Sequence, residues 1–431
     1  MKRIILKAGE EQRIFEGHPW VYDNEVDRIL GPAGPAGITP GEIADVESAG
    51  KRYVGRAFAN PNSKIIARLY SSSKEGADKG FFKRRIREAL SRRTGYDLRR
   101  ESVRLVFGEA DFLPGFILDR FVGWSLAETE NAVQERPLTF SAVESALGPP
   151  RSWLSAQFLI FGTDCRKTEI LCALEEVLAK DLGLPEGVVE RSSLKVRDLE
   201  GLPQQEGLLK GTFPDQGIVI FENGFPFCAH LGAGQKTGHF LDQKDNRRRI
   251  ARWLPKDARV LDAFAYTGAF GIHAVRFGAA EVRAVEVSKN ALSILRKNAE
   301  LNAAENRIAC EEGDVFELLR VYQRNRERFD LIVLDPPAFA KSRSFLADAL
   351  RGYKEINLQA MKLLVPGGVL VTCSCSQVLN ESRFKRLLTS AAADADRRLI
   401  QLDFRYQGLD HPILAGYDES LYLKCGYYRV L

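Results

Sequence analysis

The sequence predicts a multidomain protein with an N-terminal β-barrel, a central α/β domain and a C-terminal α/β domain on a mostly parallel sheet. Three observations predict it. At 431 residues the chain is too long for one ordinary domain. Short β-like runs broken by Gly/Pro turns fill its first segment, and strand and helix patterns alternate through its last. Hydrophobic residues make up 45% and charged residues 28%, values of a globular chain with a core. No run suits a membrane span, and the apolar part of Met1-Lys2-Arg3-Ile4-Ile5-Leu6-Lys7 is too short for a signal peptide. A cytoplasmic protein with no membrane partner is expected.

Residues 1–73 are expected to form the barrel, with strands at 3–6, 42–46, 53–57 and 65–69 and a Gly-Pro-Ala-Gly-Pro-Ala-Gly turn at 31–37. Residues 74–100 read as a basic connector helix, because Phe82, Ile86 and Leu90 recur at helical spacing. Lys83, Arg84 and Arg87 fall on its other faces. They form either a solvated face or a ridge that contacts phosphates. Residues 101–200 read as a compact α/β unit, with strands at 104–107, 115–119, 124–127 and 153–161 and a helix at 169–179. Residues 201–431 alternate strands (260–265, 281–287, 307–312, 329–335 and 368–374) with helices (271–276, 291–302 and 346–364). That alternation predicts a Rossmann-like sheet covered on both faces.

The net charge of +5 permits a nucleic-acid partner without requiring one. The seven cysteines are scattered without zinc-type pairs, so neither a metal nor a disulfide framework is expected.

In the last segment, functional residues recur at strand ends. The first strand carries Asp262 and runs into Phe264-Ala265-Tyr266-Thr267-Gly268, a small-residue turn opening a helix. Such a turn lets a cofactor approach the backbone. The full G-x-G-x-x-G is missing, which disfavours a pyrophosphate-bearing dinucleotide. The second strand ends at Glu286 and Ser288, roughly where an acidic residue can accept ribose hydroxyls. Asp314 follows the third strand and suits an adenine amino group, and Asp335-Pro336-Pro337-Ala338-Phe339 follows the fourth. Each alone is more often a helix cap. In order, one per strand, they resemble the motifs of class I S-adenosylmethionine-dependent methyltransferases, which implies that cofactor.

The fifth strand ends Thr372-Cys373-Ser374-Cys375-Ser376. A lone strand cysteine is usually core, but a thiol beside a methyl donor can act as a nucleophile. Carbon 5 of cytosine is a poor nucleophile until a thiolate adds to carbon 6. Cys373 and Cys375 face the same side of a strand, and Cys375, nearer its end, is the candidate nucleophile. Asp335 is the candidate for steadying the ring.

Asp335-Pro336-Pro337-Ala338-Phe339 with Ser374-Cys375-Ser376 resembles the bacterial large-subunit (23S) ribosomal RNA methyltransferase I family. His18-Pro19-Trp20-Val21, the stretch Gly234-Gln235-Lys236-Thr237-Gly238-His239-Phe240-Leu241-Asp242-Gln243, His411-Pro412 and Leu421-Tyr422-Leu423-Lys424 extend the resemblance along the chain. It implies an RNA-binding PUA barrel, a central α/β domain, a Rossmann-like methyltransferase, and large-subunit rRNA as the partner that acquires 5-methylcytosine. Two departures stand out. His230 replaces an expected acidic residue. Ala338 fills the place where other RNA 5-methylcytosine enzymes carry a second cysteine, and Cys310 lies on a different strand. Another base must then take the carbon-5 proton.

Lys236 and Arg247 are candidates for RNA or cofactor contacts, or simply cover the sheet's flank. Trp20 reads as barrel core rather than a base-stacking platform, and His239 as either structural or functional. Oligomeric state, a dimer included, stays open. The alternatives are an N-methyltransferase of an RNA base using the Asp-Pro-Pro-Ala-Phe motif, and a non-catalytic RNA-binding or ribosome-assembly protein.

Overall fold

Three seven-stranded sheets follow one another along the chain in a computed structural model that describes residues 1–231, 238–339 and 346–431. The first contains β1 (Lys2–Leu6), β2 (Trp20–Val21), β3 (Val26–Gly31), β4 (Gly34–Pro35), β5 (Glu42–Glu47), β6 (Tyr53–Ala59) and β7 (Ala67–Ser71), with the short helix α1 (Gln12–Phe15). Its order is β2-β7-β6-β5-β1-β3-β4, antiparallel except for β1 beside β5. Alternation along β1 and β5 buries Ile4, Leu6, Ala44 and Val46 in one core.

Helix α2 (Lys79–Ser91) follows, with Asp78 capping it at the Phe81 amide. Phe82, Ile86 and Leu90 are buried as their spacing predicts. They pack into the core of the central sheet, so the connector is an integral wall of the second domain.

The central domain holds β8 (Val103–Phe107), β9 (Phe116–Ser125), α3 (Leu126–Ala132), α4 (Phe140–Leu147), β10 (Arg151–Phe158), α5 (Phe161–Asp164), α6 (Lys167–Asp181), β11 (Gly187–Arg191), α7 (Lys195–Glu200), β12 (Glu206–Gly211), β13 (Ile218–Glu222) and β14 (Phe225–Ala229). Its order is β12-β11-β10-β9-β13-β14, with β8 also on β9. The structure corrects two sequence expectations here. The runs at 115–119 and 124–127 are one long strand, β9, buried along most of its length and followed by helix α3 rather than more strand. The boundary expected after residue 200 cuts the sheet, because β12, β13 and β14 pair within it. Backbone ladders join residues 206–229 to the central domain, which a linear composition shift cannot reveal.

The last domain comprises α8 (Lys244–Arg249), β15 (Arg259–Ala263), α9 (Ala269–Arg276), β16 (Glu281–Glu286), α10 (Lys289–Leu301), β17 (Ile308–Glu312), α11 (Val315–Arg324), β18 (Phe329–Leu334), α12 (Leu346–Leu363), β19 (Leu364–Ser374), α13 (Glu381–Asp394), β20 (Leu399–Arg405) and β21 (Lys424–Val430). Strands run in the order β17-β16-β15-β18-β19-β21-β20, parallel through β19 and antiparallel beyond it. Runs such as Leu331-Ile332-Val333-Leu334 are apolar on both faces because separate cores cover the two sides. Strand order reverses direction at β15 and β18, so their carboxyl ends open a crevice at the topological switch point.

Candidate active site

The turn after β15 is built under strain. Phe264 (φ 63°), Tyr266 (φ 49°) and Gly268 (φ 79°) all adopt the left-handed region. Such conformations cost about 1–3 kcal/mol for residues with side chains and gather at ligand-binding turns. Second-strand and first-strand acids pin the turn. Glu286 accepts from the Tyr266 and Ser288 amides, each at 2.9 Å. Asp262, 1% exposed, accepts from the Gly271 amide at 2.8 Å. The buried Thr267 offers its carbonyl to Asn298 at 2.9 Å.

Ser288 and Asp314 also serve as helix caps. The Ser288 hydroxyl accepts from Ala291 at the start of α10. Asp314 Oδ1 accepts from Phe316 and Glu317 at the start of α11, leaving Oδ2 without a partner among the described residues. Each Glu286 oxygen spends one lone pair on the turn and keeps another. The donor set therefore retains acceptors for hydroxyl and amino groups.

Asp335, at the end of β18, lies one strand away. Its Oδ1 accepts from Gln243 Nε2 at 2.9 Å, and Gln243 is held in turn by Asn246. Burial pushes both the Asp262 and the Asp335 carboxyl up to about 7, against the pull of Arg247. Two buried carboxyl groups around one crevice favour a cationic ligand. A sulfonium-bearing nucleoside fits this set: hydroxyl acceptors on one side, buried negative charge on the other.

Cys375 follows β19, and its thiol reaches the Pro336 carbonyl at 3.9 Å. The strand-end thiol and the Asp-Pro-Pro motif are thus neighbours. Cys373 lies deeper, fully buried and opposite Cys425 across the β19–β21 ladder. Of these two thiols, Cys375 is the partly accessible one. Burial, then the charges of Asp335 and Asp242, push the Cys375 thiol up to about 12. Asp242 Oδ1 is itself a buried acceptor with no hydrogen-bond partner among the described residues.

Two contributors were not singled out in the sequence. Gln243 positions Asp335. Lys424, 1% exposed, donates to the Ser376 carbonyl at 2.7 Å and the Tyr422 carbonyl at 2.8 Å. It pins the segment after Cys375, and burial lowers its pKa to about 8. Both end stretches that carry the family resemblance, but the groups they hold are set by the fold; β21 reaches β19 only through the sheet.

The RNA candidates fare differently. Arg247 is a buried residue rather than an RNA-facing one. Its guanidinium donates to Glu222 at 2.9 Å and lies 3.1 Å from His239 Nε2. Burial alone would raise the Glu222 carboxyl, yet Arg247 and His239 hold it well below the usual range. His239 is thereby structural within this network. Lys83 and Arg84 pair with Glu176 and Glu75, and Arg87 lies 3.9 Å from Asp181. Lys236 lies outside the described residues. Trp20 is not barrel core: its indole donates to Glu109 of the central domain at 2.8 Å, and its ring meets Tyr417 edge-on at 5.0 Å.

Known proteins match this arrangement. The family model for S-adenosylmethionine-dependent methyltransferases matches residues 188–400, and that for PUA-like domains matches residues 4–72. The protein called ribosomal RNA large subunit methyltransferase I from Erwinia tasmaniensis is 35% identical, with 98% of each chain covered. Its counterpart from Shewanella denitrificans is 37% identical, again with 98% of each covered. A solved S-adenosylmethionine-dependent methyltransferase from Streptococcus mutans superposes with a TM-score of 0.78 at 18% identity over 100% of both chains. Another, a methyltransferase complexed with SAH, gives a TM-score of 0.80 at 18% identity over the same coverage; both show the shared fold. The protein is an S-adenosylmethionine-dependent methyltransferase with an N-terminal PUA-like domain, and it belongs to the ribosomal RNA large subunit methyltransferase I family.

Proposed function

We propose that this enzyme methylates carbon 5 of a cytosine in large-subunit ribosomal RNA through a covalent adduct on Cys375. The observation that carries the reading is the partly accessible Cys375 thiol beside Asp335-Pro336 at adjoining strand ends. The relatives' names supply the RNA.

Cofactor would lie across the ends of β15 and β16. There Glu286 takes ribose hydroxyls, Asp314 the adenine amino group, and the turn from Phe264 through Gly268 the backbone contacts, with Thr267 and Ser288 shaping its walls. When bound, S-adenosylmethionine supplies an electrophilic methyl group and a positive charge. Cys375 would pass its proton to the Asp335 carboxylate as Sγ bonds to cytosine carbon 6, and the carbon 5–carbon 6 π pair moves into the ring. Asp335, whose carboxyl burial raises to about 7, then gives that proton to nitrogen 3, which accepts the electron density pushed onto the ring. Carbon 5 would then supply the electron pair for its bond to the methyl carbon, and the pair of the broken carbon–sulfur bond stays with the donor's sulfur. Its hydrogen leaves as a proton to water or another base, the carbon 5–carbon 6 double bond re-forms as Sγ departs with the electrons of its bond, and nitrogen 3 returns its proton to Asp335. Lys424 holds the Ser376 carbonyl throughout and keeps Sγ at the strand end.

Undermodified large-subunit rRNA, incubated with enzyme and labelled cofactor and digested to nucleosides, should yield 5-methylcytidine. Label found only in N-methylated bases would refute the carbon-5 reading. Cys375→Ala should abolish turnover while calorimetric cofactor binding survives. Activity that persists in Cys373→Ala and Cys375→Ala alike points to nitrogen methylation instead.

A further inference from the structure

The basic helix α2 is the obvious place to seek a phosphate-binding surface, yet its charges are largely neutralised within the protein. Lys79 and Lys83 share Glu176, Arg84 and Arg85 share Glu75, and Arg87 faces Asp181. A different surface keeps its charge. Between α12 and α13 lies a groove of about 440 Å³ bordered by Arg351, Lys354, Arg383, Arg386 and Ser390. Arg351 and Lys354 are paired with Asp348 and Asp394. Arg383 and Arg386 are exposed, and neither meets a carboxylate among the described residues.

The groove is coupled to the active site by packed rings. Phe339 of the Asp-Pro-Pro-Ala-Phe motif packs on Tyr353 at 4.6 Å between ring centres, and Tyr353 meets Phe384 edge-on at 6.2 Å. Tyr353 lies between Arg351 and Lys354 in the sequence, and Phe384 between Arg383 and Arg386. Both rings are fully buried, so the charged residues flanking them ride on a rigid base. Helices α12 and α13 follow the strands whose carboxyl ends carry Asp335 and Cys375. The groove therefore begins in the first turn of α13 and the second turn of α12, the two helices that leave the catalytic crevice.

We infer that the α12–α13 groove binds the phosphodiester backbone of the substrate RNA beside the target nucleotide, with Arg383 and Arg386 as the principal phosphate contacts. The inference rests on RNA being the substrate, but not on which base atom is methylated. Unpaired guanidinium groups at helical spacing suit successive phosphate oxygens. The paired Arg351 and Lys354 make weaker contributions, because exposed ion pairs such as theirs can be exchanged for phosphate at little cost.

The test uses the full-length enzyme and an rRNA fragment containing the modified site, with binding followed by fluorescence anisotropy across a salt series. Arg383→Gln/Arg386→Gln should lower the slope of log K against log salt by about 1.4, at about 0.7 per single-strand phosphate contact. At about 0.15 M salt that slope corresponds to roughly tenfold weaker binding, with KM for RNA rising to match, kcat retained and cofactor binding unchanged. An unaltered slope and affinity in the double variant would overturn the inference while leaving RNA as the substrate. A larger loss from Lys83→Gln/Arg87→Gln would also overturn it, by returning the phosphate contacts to α2. Failure of the unmodified enzyme to bind any RNA would remove the underlying reading as well. If the double variant instead loses binding only to phosphatidylserine vesicles and keeps its RNA affinity, the groove is a lipid-headgroup site and the inference is wrong.

Discussion

Replacing Asp262 by Asn should change how the stability of the methyltransferase domain depends on pH. Asp262 is 1% exposed, and burial pushes its carboxyl from 3.8 to about 7. A carboxyl with a raised folded-state pKa binds more protons folded than unfolded between these values. Its contribution is therefore fully present below about pH 4 and is lost as pH rises through about 7. Between about pH 5 and pH 8, the linkage relation gives a loss of about 2.5 kcal/mol from this one group. Asn keeps the acceptor for the Gly271 amide and has no charge to bury. The stability difference, variant minus wild type, should thus rise by about 2.5 kcal/mol between pH 5 and pH 8. Groups that titrate equally in both proteins, Glu222 included, cancel; Asp335, whose charge helps raise the Asp262 carboxyl, titrates in the same range and is followed in parallel in Asp335→Asn. Native-state hydrogen exchange on peptides from β15 and β18, read by mass spectrometry, reports this domain without assuming that three domains unfold together. A difference that stays flat with pH would show that water reaches Asp262 in the folded state, and the buried-charge reasoning would fail.

Other substitutions test the architecture under the site. A Cβ at Gly268 would lie 2.5 Å from Leu295 Cγ at a φ of +79°. Gly268→Ala should cost about 2–4 kcal/mol and weaken cofactor binding in calorimetry, and Leu295→Ala should restore the steric share but not the strain. Arg247→Met leaves Glu222, 2% exposed, without its guanidinium partner. A loss of about 3–5 kcal/mol in urea unfolding is expected, with most of it recovered in Arg247→Met/Glu222→Leu.

Most of the candidate site was legible because its residues fall at strand ends in chain order. Alternation and helical spacing located β15–β19 to within a few residues, except that β19 begins four residues early, at Leu364. They thereby placed Asp262, Glu286, Asp314, Asp335 and Cys375 on one edge. The choice of Cys375 over Cys373 followed from its position nearer the strand end, and the difference in burial accords with it. For Arg247 the sequence left RNA or cofactor contacts and cover of the sheet's flank open, because a basic residue in a short helix looks exposed until its partner is known. Glu222 is that partner, 25 residues away on a strand of the central sheet. Trp20 was misplaced for a similar reason: its hydrogen-bond acceptor, Glu109, belongs to another domain.

By itself the sequence determined the fold class, the cofactor-turn motifs and the pair of thiols, since these depend on local periodicity and on chemistry carried by consecutive residues. Tertiary structure alone decided where the domains divide, which basic residues keep their charge, and what supports the catalytic edge. Gln243 reaches Asp335 across 92 positions, and Lys424 reaches the Ser376 carbonyl across 48. The physical reason is that burial and charge neutralisation are properties of neighbours in space. An arginine that looks exposed in the sequence is a structural tie beside Glu222 and an exposed, unpaired side chain among the described residues of α13, and only the packed chain distinguishes them.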